Sequence, residues 1–135
     1  MIKINLGLAK ILVLLTLMSC SNKSDGLSPY EKANYRKIAY NYLYSNNSAP
    51  INISPNKSKI EFGKYSLINN TNFILMNNSN KISFFLNNEN INLKNDQGLV
   101  AVSFYTNTVQ DELLGPSIVI IEPITQQVIG IVPQN

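Results

Sequence analysis

The chain of 135 residues contains a single cysteine, Cys20. No disulfide can form within it, so no covalent framework can stand in for a hydrophobic core. Histidine is absent, which removes the commonest metal ligand and general base. Whatever folds here must do so by burying apolar side chains. A chain of this length buries roughly two-thirds of its unfolded surface, enough for one domain.

Cys20 also ends an apolar run. The first twenty residues read MIKINLGLAKILVLLTLMSC, with Lys3 and Lys10 ahead of a stretch from Ile11 to Met18 that is apolar except for Thr16. A charged start, a short apolar segment and then small residues form the layout of a secretory signal. The run is shorter than the roughly 20 residues that a membrane-spanning helix needs. Its end, Leu17-Met18-Ser19-Cys20, resembles the lipobox of bacterial lipoproteins. That resemblance covers the first twenty residues alone. It implies cleavage between Ser19 and Cys20, and a diacylglyceryl group on the Cys20 sulfur. Leu17 then fills the aliphatic position, Met18 the tolerant one and Ser19 the small one. A thiolate suits alkyl transfer, and no second cysteine competes for it. Two or more acyl chains hold a protein stably at a membrane, whereas one holds it weakly. Ser21 follows the cysteine where an acidic residue would favour inner-membrane retention in enterobacterial lipoproteins. In a Gram-negative cell the resemblance therefore implies the outer membrane.

Removing 1–19 changes the charge balance. Lys3 and Lys10 leave, so eleven basic residues become nine against eight acids, and the net charge falls from +3 to +1. With one arginine, Arg36, and no basic cluster, the chain lacks the footprint of a nucleic-acid binder. Residues 20–27 are polar and read as a lipidated tether, and 28–135 as one folded domain.

That domain opens with Ser28-Pro29-Tyr30-Glu31, a capping box with proline at the first helical position. Tyr35, Ile38, Ala39, Tyr42 and Leu43 then fall on one helical face, and the helix should end near Ser45-Asn46-Asn47. Tyr40 and Tyr44 form an i, i+4 stripe with Arg36 off that face, which predicts that they are exposed. Tyrosine is favoured at interfaces, so this pair is a candidate binding surface.

Short strand-like segments follow. Ile60 and Phe62 alternate, Gly63 reads as a bulge or turn, and Tyr65 to Ile68 resumes. Phe73 to Met76 is apolar, and Ile82, Phe84 and Leu86 alternate. Ile91 and Leu93 predict a further strand, before Asn95-Asp96-Gln97-Gly98 turns the chain into Leu99 to Thr106. SIVIIE and VIGIV close the chain around a hairpin-length loop, Pro123 to Gln127. The fold class is thus α+β: one N-terminal amphipathic helix packed on an antiparallel sheet of about five to seven short strands. The stretch SIVIIEPITQQVIG is similar to the strand–turn–strand unit of PepSY-like and NTF2/cystatin-like small domains. It departs from that unit in carrying Thr125-Gln126 where Thr-Gly is expected.

No G-x-S-x-G or P-loop pattern occurs, and after acylation no free thiol remains. Asp111-Glu112 is the most conspicuous acidic feature, beside a Gly-Pro turn in NTVQDELLGP. Two adjacent acids fall short of the alternating oxygen ligands of a calcium loop, so neither metal nor cofactor is expected. The pair reads as a solvated turn or as part of a binding surface.

These readings converge on a non-enzymatic binding or assembly module, lipid-anchored in the cell envelope, with an envelope protein as its partner. An inhibitor or immunity-type protein that blocks a secreted enzyme, and a carboxylate-dependent hydrolase, remain as alternatives.

Overall fold

The computed structural model describes residues 26–46, 58–105 and 115–132. Its elements are α1 (Pro29–Ser45), β1 (Lys59–Ile68), β2 (Thr71–Met76), β3 (Lys81–Leu86), β4 (Gly98–Phe104), β5 (Ser117–Glu122) and β6 (Gln127–Val132). The class is α+β with an antiparallel sheet, and the six strands close into a barrel in the order β1-β2-β3-β6-β5-β4.

Local chemistry accounts for the element boundaries. The Ser28 hydroxyl accepts from the Glu31 N–H, and the Glu31 carboxylate accepts from the Ser28 N–H at 2.7 Å. Two otherwise unpaired donors at the start of α1 are thereby satisfied. Between β1 and β2 the chain reverses through Asn69 and Asn70, at φ of 49° and 58°. Asparagine tolerates this left-handed region, which two-residue hairpin turns require. The β2–β3 turn places Ser79 at φ 66°, with the Asn78 side chain accepting from the Asn80 N–H at 3.1 Å.

Closure creates two apolar layers rather than one. Tyr65, Ile74, Met76, Phe84, Leu99, Ala101, Ile118, Ile120 and Ile129 fill the interior. The opposite face of β4 and β5 presents Val100, Val102, Phe104, Val119 and Ile121, which pack with Tyr35, Ala39 and Leu43 of α1. Both strands are buried on both faces, which explains why they read as unbroken apolar runs.

Two strand expectations change. Lys59–Phe62 and Tyr65–Ile68 are a single strand, β1, and Gly63 is neither bulge nor turn. Gly63 stays in register with Met76 on one side and Leu99 on the other. Its missing side chain makes room for Ile74: a Cβ there would lie 2.6 Å from Ile74 Cγ1 and 2.8 Å from the Leu75 carbonyl. Ile91 and Leu93 form no strand, although both pack partly buried on the interior cluster. The reason is closure. Each strand of the ring already has two neighbours, so no edge is left for another.

Closure is thinnest between β3 and β6, where only Phe85–Ile131 and Leu86–Gly130 are paired. Asn87 extends this seam. Its N–H donates to the Ile129 carbonyl at 2.9 Å, and its side chain to the Val128 carbonyl at 3.1 Å.

Candidate functional site

The tyrosine pair sits on the C-terminal half of α1. Tyr40 and Tyr44 stack with centroids 6.5 Å apart and planes 19° apart. Tyr44 is 69 % exposed, as the helical spacing predicts. Tyr40 is half-buried, and its ring meets Phe104 at 6.4 Å, tilted by 56°. The reason lies in the underlying sheet: Phe104 ends β4 on the face that carries α1, and Tyr40 covers it. The pair thus couples an anchored ring to an exposed one. Tyr105, the next residue after β4, is also exposed. Arg36, one turn before Tyr40, donates its Nε–H to the Ser58 carbonyl at 3.2 Å, which ties the helix to the start of β1. An aromatic surface of this kind supplies contact area at low entropic cost, and it has no nucleophile or base.

The other residues singled out from the sequence, Ser19, Cys20, Asp111 and Glu112, lie outside the described residues.

A carboxylate that the sequence did not single out for a role, Glu122, is buried at the end of β5. Its Oε1 accepts the Ile124 N–H at 3.0 Å, and its Oε2 accepts the Thr125 N–H and hydroxyl at 2.6 and 2.5 Å. Burial alone would raise its pKa. Hydrogen bonds from Thr125, Ile124 and Gln97 outweigh burial and hold the group below its ordinary 4.5. Such a carboxylate is ionised and fully engaged, which suits a turn lock and not a general base. The local signal was the spacing Glu122-Pro123-Ile124-Thr125, an acceptor placed three residues before a hydroxyl. Tyr35 lies near it. Burial, followed by the Glu31 and Glu122 carboxylates, raises the Tyr35 phenol above 10.0, so it stays protonated.

Among the described residues no three His, Cys, Asp or Glu side chains gather as metal ligands. Among the same residues no helix is long and apolar enough to cross a membrane. Neither a protein-family model nor a curated protein nor a solved structure matches this chain.

Proposed function

We propose that this chain is a bacterial lipoprotein, anchored by lipid on Cys20, whose folded part is a non-enzymatic binding or assembly module of the cell envelope. One observation carries the reading: a basic start, a short apolar run and Leu17-Met18-Ser19-Cys20 coincide with the only cysteine. In this reading 1–19 is the leader and 20–27 the tether. The amphipathic helix α1 is then the first element of a single domain. The outer membrane is the destination in a Gram-negative cell. The partner is an envelope protein that meets the stacked Tyr40–Tyr44 surface and the Asp111-Glu112 pair. What supports a binding role is the exposure of Tyr44 on an anchored ring, together with the absence of histidine.

The test is metabolic labelling with palmitate. The wild-type chain is expected to take up label, and Cys20→Ala to remain an unlabelled precursor. Label in Cys20→Ala overturns the reading. Affinity capture after mild cross-linking of native membranes then tests the binding role: one stoichiometric envelope protein is expected. Recovery of the chain alone argues against it.

A further inference from the structure

One end of the barrel gathers exposed apolar side chains beside the start of the folded domain. Ile124, at the tip of the β5–β6 turn, is 87 % exposed, and Tyr30, in the first turn of α1, is 82 % exposed. The elements that carry them are in contact. The Asn34 side chain donates to the Gln126 side chain at 3.1 Å, which joins the second turn of α1 to the β5–β6 turn. Tyr30 lies four residues before Asn34, on the same helical face. The turn that holds up Ile124 is rigid, because Glu122 fixes the N–H groups of Ile124 and Thr125.

α1 also begins at this end. Cys20 and Ser28 are eight residues apart in the sequence, a span of at most ~29 Å in any conformation. We propose that the barrel end bearing Tyr30 and Ile124 seats on the bilayer surface beside the lipid on Cys20, with both side chains at headgroup level. The inference rests on the lipoprotein reading above. A short covalent link keeps this end at high effective concentration near the bilayer, so even a small apolar contact is populated. Tyrosine suits that depth, because its ring prefers the boundary between chains and water. The exposed Lys64, opposite Gly98 in the β1–β4 ladder, lies toward this end as well, so a comparison of low and high salt separates apolar seating from charge attraction. The seating leaves Tyr44, about 21 Å further along the helix axis, clear of the membrane and open to a partner.

The chain has no tryptophan, so a single introduced one reports its own surroundings. Ile124→Trp and Tyr44→Trp both replace exposed side chains. Each is made in the full acylated protein and reconstituted into phosphatidylethanolamine–phosphatidylglycerol vesicles, with and without brominated acyl chains. The Ile124→Trp emission is expected to shift to the blue and lose most of its intensity to brominated lipid, in low and high salt alike. The Tyr44→Trp emission is expected to do neither. If Ile124→Trp is unquenched in protein whose mass shows acylated Cys20, the seating is wrong while the lipoprotein reading stands. Equal quenching at both positions also overturns it. A mass without acyl groups on Cys20 removes the lipoprotein reading, and the seating with it.

Discussion

Thr125 presents both its backbone N–H and its hydroxyl to one carboxylate oxygen of Glu122, at 2.6 and 2.5 Å. That contact closes the β5–β6 turn while Gln126 takes φ 57°, where a non-glycine residue needs support. The ordering of this turn holds Ile124 out in solvent.

Glu122→Ala should therefore destabilise the fold by roughly 1–3 kcal/mol, because it strands three donors around a buried position. Chemical denaturation of the two proteins checks this. The pH dependence has a definite sign. The folded carboxyl titrates below 4.5, so its contribution is present above that value. It is lost as pH falls through the lower folded value. Glu122→Gln should show a shallower loss of stability in acid than wild type; an unchanged acid slope would count against the turn lock.

Tyr35 gives the opposite dependence. Its phenol titrates above 10.0, so the fold retains a proton that the unfolded chain releases. Stability is fully present below that pH and declines as the pH rises through the folded value. Tyr35→Phe keeps the ring in its place against Ala39 and Leu43 and should lessen the alkaline decline, as read from urea midpoints across that range.

Gly63→Ala should cost about 1–3 kcal/mol, the range for overpacking a filled core. The new Cβ would meet both a side chain and the Leu75 carbonyl, and the carbonyl cannot move without distorting the β1–β2 ladder. Thermal unfolding measures the loss. A neutral result would show that β2 shifts freely.

Ser28→Ala removes one half of the capping box and should cost about 1 kcal/mol. The effect should be seen in helical circular dichroism and in hydrogen exchange of the first turn of α1. Global unfolding with no local fraying would contradict the geometry at Glu31.

Tyr44→Ala and Tyr40→Ala separate binding from folding. Tyr44 is exposed, so its loss should change stability by less than about 0.5 kcal/mol while weakening partner capture. Tyr40 covers Phe104, so its loss should lower the melting temperature as well. Undiminished capture by Tyr44→Ala would remove this surface from the binding role.

Much of the local structure was legible in the residues. Ser28, Pro29 and Glu31 announce the start of α1, because a capping box depends only on neighbours in sequence. The Asn95-Asp96-Gln97-Gly98 turn was legible for the same reason. Tyr44 was readable from helical spacing, whereas Tyr40 was not. Its burial depends on Phe104, sixty-four residues away in sequence. Glu122 was one acid among eight, marked off from the others by its three-residue spacing to Thr125 alone.

The sequence by itself determined the helix, its cap, the turns and the apolar runs that become β4 and β5, all of which follow from short-range chemistry. It determined equally the leader-like start and its single cysteine. Tertiary structure alone decided that the sheet closes. Closure joined two expected segments into β1 across Gly63 and left Ile91 and Leu93 without a strand. It also placed the β5–β6 turn beside the first turns of α1. The physical reason is that closing a barrel is a cooperative satisfaction of every strand edge at once. No window of sequence carries that information, because each edge is completed by a partner distant along the chain.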